Sequence, residues 1–397
     1  MKKLIKIILF TLLFLFIFVF VDNLRNTKKN IVDNKKELTE IQKVWKEYQK
    51  NRSLDPKPIS EKEFMNILEK NDVSELEYPF RLPSWYKKKL DEIKLKDLQD
   101  KAYAIFDLIT DTKENSLNIE MSDSSEDREN GNRFPYELLT EKGKRKAKCD
   151  ELALLYTASC RYLGLESYFV LVDVDVNGEF VAHACSGFID NKKRFVLVDP
   201  AYRIFDVFHR LYRPLDDLEA TACFLAGSHK ILCELDRRAD AGKYIYDAEK
   251  IYQDNDFVIN ELMLQSFSEG DYERSLNYAL KVINMKGISP YSKFSACFGA
   301  GIANLYLGKF EESEKYFSDL IQLLFKLKKI ADFQKEDLIE KILMSHLFYA
   351  GILQVNEREE AEDMLSGFHT NYNIPEEMIE EVEGVYEEAG VDVVLGK

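Results

Sequence analysis

Cys149, His183 and Asp199 are the residues of this chain whose types and spacing could do chemistry. A thiol, an imidazole and a carboxylate in that order are the parts of a nucleophile, its base and the group that orients the base. Cys149 begins the stretch Cys149-Asp150-Glu151, and Leu152, Leu155, Tyr156, Ser159 and Leu163 follow at helical spacing. Gly164 is a natural stop for that helix. A thiol at a helix N-terminus meets orphan backbone N–H groups and the positive end of the dipole. Such a setting lowers a cysteine pKa to roughly 3.5–7.5. The basic run Lys142–Lys148 leads into the same point. Cys160, Cys185, Cys223, Cys233 and Cys297 lack this combination, and Cys160 reads as core filler.

Three strand-like runs must position the other two groups. They are Tyr168–Val176, Glu179–Ile189 and Arg194–Asp199, separated by Asn177-Gly178 and by Asp190-Asn191-Lys192. Asn-Gly between alternating apolar residues is a two-residue hairpin signal. If the second turn centres on Asn191, His183 lies directly opposite Asp199. Both side chains then leave the same face, with Cβ atoms roughly 4.5–5.5 Å apart. A one-residue slip would send Asp199 to the other face.

The rest of the chain reads as an anchor before this stretch and helices after it. Met1-Lys2-Lys3 precedes an apolar run from Leu4 to Val21, with no small-residue cleavage site beyond it. The pattern predicts an uncleaved signal anchor over residues 1–21, with the body outside the cytoplasm, at the cell surface or in the periplasm. Residues 22–77 read as a juxtamembrane helical stalk. Within it, Ser60-Glu61-Lys62-Glu63 resembles a capping box for a short helix. Residues 78–217 form the expected catalytic domain. The spacing from Leu90 to Ile109 predicts one continuous helix, and Asp111–Asn132 an acidic solvated loop.

From 218 to 397 the chain reads helical. Gly270-Asp271-Tyr272 and Gly308-Lys309-Phe310 are matching turns, and Asn356-Glu357-Arg358 stands in a similar position. The pattern resembles degenerate tetratricopeptide repeats. A stack of that kind exposes a concave face for a protein partner. The competing expectation is an ordinary helical bundle.

Composition sets outer bounds. A net charge of −15 leaves no excess of Lys and Arg to neutralise phosphates, so no nucleic-acid partner is expected. The six cysteines form no CxxC pair, which argues against a structural zinc site. No cofactor and no metal are expected.

The central stretch resembles the transglutaminase-like superfamily. The resemblance rests on Lys148-Cys149-Asp150-Glu151-Leu152-Ala153, Leu163-Gly164-Leu165, His183-Ala184-Cys185 and Val198-Asp199-Pro200-Ala201-Tyr202, with Phe134–Leu139 as a lead-in. It covers about Leu90 to Tyr202. It implies an α+β, papain-like core in which the Cys-bearing helix packs on an antiparallel sheet, followed here by an all-α repeat domain. It also implies Cys149 as nucleophile, His183 as base and Asp199 as orienter. A peptide or protein amide would be the substrate, with hydrolysis favoured over transamidation. Trp85, Asn132 and Tyr136 are candidates for a second oxyanion donor beside the Cys149 N–H. Family members commonly carry Gly where this chain has Lys148, and an aromatic where it has Cys185. Those departures define the alternative, a catalytically silent binding module at the cell surface.

Overall fold

The structure is a computed structural model. It describes residues 58–395, apart from 74, 94–96, 112–115, 118, 123, 125–128, 141–145, 328–334, 359–360, 362–364 and 366–373. The expected anchor, the stalk before residue 58 and basic residues 142–145 lie outside the described residues. Part of the third repeat-like segment, Leu343 to Phe368, lies outside them too. Among the described residues, no helix is long and apolar enough to cross a membrane.

Helix α1, Glu61–Lys70, starts at Ser60, whose hydroxyl accepts from the Glu63 N–H at 3.3 Å. It buries Phe64 and Leu68 in the same core as the residues that follow. The single helix expected over Leu90–Ile109 is instead two, α2 (Ser84–Asp91) and α3 (Leu98–Thr110). The physical reason lies at Asp97. Its carboxylate accepts from the N–H groups of Gln99 and Asp100, which caps a new helix instead of continuing the old one. The acidic segment after α3 is also more built-in than its composition predicts. Leu117 and Ile119 are buried. Strand β1, Glu120–Met121, pairs in parallel with β2, Lys146–Ala147. Helix α4, Pro135–Thr140, lies between them in sequence.

Helix α5, Cys149–Tyr162, is buried along nearly its whole length. It packs on an antiparallel sheet of β3 (Ser167–Val174), β4 (Phe180–Ile189), β5 (Phe195–Asp199), β6 (Ile204–Phe205) and β7 (Leu211–Pro214). The strand order is β6-β5-β4-β3-β7. Ala184, Ser186 and Phe188 face α5. The Ser186 hydroxyl bonds to the Thr157 hydroxyl at 3.0 Å and to the Ala153 carbonyl at 2.6 Å. Cys185 faces the other way, against Val170, Val172, Leu197 and Val207.

The β4–β5 register differs from the expected one by two residues. Ile189 pairs with Phe195, and Ser186 with Val198. The loop is Asp190–Arg194, closed by the Asp190 carboxylate, which accepts from the N–H groups of Lys192 and Arg194 at 2.8 Å each. Lys193 takes a left-handed φ of 61°. This carboxylate-tied turn is longer than one centred on Asn191. A shift of two preserves side-chain parity. His183 and Asp199 therefore still leave the same face, as diagonal neighbours, and Cys185 takes the position nearer to facing Asp199.

Beyond the sheet the chain is helical: α6 (Asp217–Glu234), α7 (Arg238–Ile251), α8 (Asp256–Ser268), α9 (Tyr272–Asn284), α10 (Pro290–Tyr306), α11 (Phe310–Leu327), α12 (Lys335–Val355) and α13 (Glu376–Glu388). The turns that close α6, α8, α10 and α12 share one hydrogen-bond pattern. In each, the N–H five residues on bonds back to a helix carbonyl: Arg237 to Leu232, Asp271 to Ser266, Lys309 to Asn304 and Arg358 to Leu353. This is the left-handed helix stop. Its left-handed residue is Gly270 or Gly308 in two cases and Asp236 or Glu357 in the others. One core runs from α1 through the sheet to α8, and a second joins α10–α13. The protein is thus an α+β core with an antiparallel sheet, followed by a helical region.

Candidate active site

The N-terminus of α5 is held by charge. Glu151 is fully buried, and its carboxylate accepts from the Lys148 N–H at 2.9 Å, closing the first turn. Arg133 meets the same carboxylate as a fork, with Nε–Oε1 at 2.9 Å and Nη2–Oε2 at 3.1 Å, and adds its backbone N–H at 2.8 Å. Paired, planar contacts of this kind fix orientation as well as energy. Asp150 is tied from the other side by Asn132, whose amide donates to Oδ2 at 2.5 Å. That contact is possible because α6 carries Gly227 beside it. A Cβ there would stand 2.7 Å from the Asn132 nitrogen. Lys148 adopts an extended backbone, φ −85° and ψ 169°. Nothing in that conformation calls for glycine.

Cys149 is the first residue of α5 and is nine-tenths buried. His183 lies on β4, paired with Val172. The β3 ladder shifts register between Val172 and Val174, on both its β4 and β7 sides. Such a bulge sharpens local twist and re-aims side chains. The His183 Nε2 lies 2.7 Å from Asp199 Oδ2. The carboxylate is fully buried at the end of β5, and its Oδ1 accepts from the Tyr202 N–H at 2.9 Å. The Tyr202 ring stacks on the His183 imidazole, with centroids 4.5 Å apart and planes 19° apart.

A fourth group joins them that the spacing of Cys149, His183 and Asp199 did not single out. His209 Nε2 stands 3.0 Å from the same Asp199 Oδ2. It lies in the segment between β6 and β7, which sit at opposite edges of the sheet. The Val207 N–H bonds to Leu197 O and the Arg210 N–H to Val174 O, so this strap crosses the face that bears His183 and Asp199. No local pattern marks His209. Only a crossover between edge strands could have found it.

The electrostatics follow from these contacts. Burial works against charge on His183. Hydrogen bonds to Asp199 and to Cys149 nevertheless raise its pKa to about 10. Burial likewise opposes ionisation of Asp199, but bonds from His183 and His209 hold it down at about 2. Burial pushes the Cys185 thiol well above its ordinary value, with Asp199 and Cys149 adding to the effect. Cys185 is therefore an apolar filler beneath the site.

The three side chains His183, Asp199 and His209 also bring one nitrogen or oxygen each within 4.8 Å of one another. That donor set would suit a divalent transition metal. The distances, however, are those of imidazole-to-carboxylate hydrogen bonds, and Asp199 Oδ2 already receives both rings.

The three residues expected as a second oxyanion donor have the following contacts. Asn132 gives its amide hydrogens to Asp150 and to the Phe224 carbonyl. The Tyr136 ring lies under the Arg81 guanidinium at 4.6 Å. Trp85, on α2, packs against Tyr86 and is about one-third exposed.

No curated protein and no solved structure matches the chain. One family model does. The transglutaminase-like superfamily matches residues 87–200, the stretch that runs from α2 through Cys149 and His183 to the residue after Asp199.

Proposed function

We propose that this chain is a membrane-anchored thiol enzyme that acts on peptide or carboxamide bonds through Cys149, His183 and Asp199. The observation that carries the reading is the 2.7 Å contact between His183 Nε2 and a fully buried Asp199, which leaves Nδ1 for the thiol of Cys149. The raised pKa of His183 favours an imidazolium beside Asp199.

In this reading the Cys149 sulfur attacks the carbonyl carbon of the substrate. The C–O π pair moves to oxygen, next to the unpaired N–H of Cys149 at the start of α5. The tetrahedral species collapses, the C–N bond breaks, and His183 gives its Nδ1 proton to the departing amine. Water then attacks the thioester and His183 takes its proton. The second tetrahedral species collapses and the C–S bond breaks. The acid product leaves, and Cys149 and His183 again share one proton. Asp199 stays ionised throughout and holds the imidazole by Nε2. An amine in place of water would give transfer. We rank hydrolysis above transfer.

The apolar run Leu4–Val21 supports anchoring, with the body outside the cytoplasm. The helical region, with its recurring turns, supports a role as a tetratricopeptide-like protein-binding face. The test is turnover of a peptide library by detergent-solubilised full-length chain, beside Cys149→Ala. Cleavage that vanishes in the variant is expected. No turnover, with Cys149 no more reactive than the other thiols, would point to the silent binding module.

A further inference from the structure

Asp199 accepts three hydrogen bonds, and a triad needs only one of them. Oδ1 takes the Tyr202 N–H, while Oδ2 takes both His183 and His209. The His209 side chain is fully buried, so its bond to Asp199 does not compete with water. Its ring meets His183 and Tyr202 edge-on, with centroids 5.9 Å and 6.0 Å away at 66°. A carboxylate oxygen only accepts, so the proton of that bond belongs to His209 Nε2. The Nδ1 of His209 is buried without a hydrogen-bond partner. An orphan lone pair there costs less than an orphan N–H, which favours the Nε2–H tautomer.

With a single donor, the carboxylate of Asp199 could rotate about its last bond and carry His183 with it. Donors at both oxygens, the two on Oδ2 coming from rings that meet edge-on, leave it one orientation. The strap that delivers His209 is itself tied to β5 and β3 through Val207 and Arg210.

We infer that His209 is a positioning residue of the thiol site, which donates Nε2–H to Asp199 Oδ2 and so fixes the carboxylate that orients His183. The inference rests on the thiol-enzyme reading above. Other groups face the cluster from each neighbouring element. Cys149 comes from α5 and Cys185 from β4. Asp175, from the β3–β4 turn, lies 3.5 Å from the Tyr202 hydroxyl. Arg210 turns its guanidinium away to the Asn177 carbonyl. Among the described residues, the donors that meet the Asp199 carboxylate are His183, His209 and the Tyr202 N–H.

The test is the rate of iodoacetamide labelling of Cys149, followed by mass spectrometry from pH 4 to 9 on the full-length chain in detergent. Wild type is compared with His209→Gln, His209→Asn and His209→Leu, and folding is checked by urea midpoint. The Gln amide nitrogen can occupy the Nε2 position, and the Asn nitrogen cannot reach it. Expected is a loss of about tenfold in labelling at pH 6 for Asn and Leu, a shift of about one pH unit in the acid limb. Gln should restore most of both. If Gln and Asn behave alike, or folded Leu keeps the wild-type profile, His209 only fills space and the inference is overturned. If wild-type Cys149 labels no faster than Cys233 at pH 6, the thiol reading itself fails and this inference goes with it. Stoichiometric zinc in wild type, lost in His209→Asn, would overturn the inference in favour of a metal-binding cluster.

Discussion

Among the described residues, two clusters of thiol, imidazole and carboxylate stand out, one in the sheet region and one in the helical region. In the second, His229 Nδ1 lies 2.9 Å from Glu261 and Cys233 Sγ lies 3.5 Å from His229 Nε2. The residue types match those of Cys149, His183 and Asp199, and the physics differs at each member. Cys149 opens α5, whereas Cys233 sits in the last turn of α6, at the negative end of a dipole. Burial pushes the Cys233 thiol up, and Glu261 adds to that push. The Nε2 of His229 is already shared with Gln265 Oε1 at 3.0 Å. His183 uses Nε2 for Asp199, and in the proposed reading its Nδ1 serves the thiol. The comparison teaches that a set of residue types is not a site. Its place on the helix and the free nitrogen of its imidazole decide.

The largest expected effect separates the two thiols by pH. The raised His183 pKa contributes stability that is fully present below the imidazole's ordinary 6.5 and lost as pH rises through about 10. The depressed Asp199 pKa contributes stability present above the ordinary 3.8 and lost as pH falls toward about 2. Both contributions are thus complete only between roughly pH 4 and 6.5. At pH 6 Cys149 should be alkylated on the order of 100-fold faster than Cys233, and His183→Gln should remove most of that difference. His229→Gln should leave the Cys149 rate unchanged. Equal rates for the two thiols would dissolve the distinction drawn above.

A smaller effect tests the charge clamp at the start of α5. Arg133→Met leaves Glu151 buried without its partner, which should cost about 3 kcal/mol in urea unfolding. Cys149 labelling should slow as well, because the helix N-terminus loses its fixed position. A variant with wild-type stability would mean that the backbone N–H groups of Lys148 and residue 133 satisfy Glu151 without the guanidinium.

The smallest effect belongs to the helical region, where local turns carry the geometry. Asp236 and Glu357 occupy left-handed positions that Gly270 and Gly308 hold elsewhere. Asp236→Gly and Glu357→Gly should each raise stability by about 0.5–1 kcal/mol, read as a shift in thermal midpoint. Destabilisation by either would show that those side chains matter more than the backbone conformation.

These particulars also show what was legible in advance. The Cys149 helix and its Gly164 stop could be read because each is a local signal at fixed spacing. So could the helical character beyond residue 217, whereas the Asn177-Gly178 turn was legible in place but not in type. The Asp175 N–H bonds to Glu179 O, which makes it a three-residue loop and not a two-residue one. The matching turns at Asp236 and Glu357 were harder, since only a glycine announces a left-handed position in sequence. The break at Asp97 was hidden because a capping carboxylate competes with helical periodicity, and the periodicity on either side was strong.

By itself, the sequence determined the residue types, their order and the parity that puts His183 and Asp199 on one face. Parity survives a two-residue shift because the side-chain period of a strand is two. Tertiary structure alone decided the register, through the Asp190 carboxylate that lengthened the turn. It also decided the clamp of Arg133 on Glu151, and the strap that carries His209 from one sheet edge to the other. The clamp and the strap join residues far apart in sequence, which no local periodicity encodes. The Asp190 turn, though local, is set by a side-chain hydrogen bond that the strand pattern does not show.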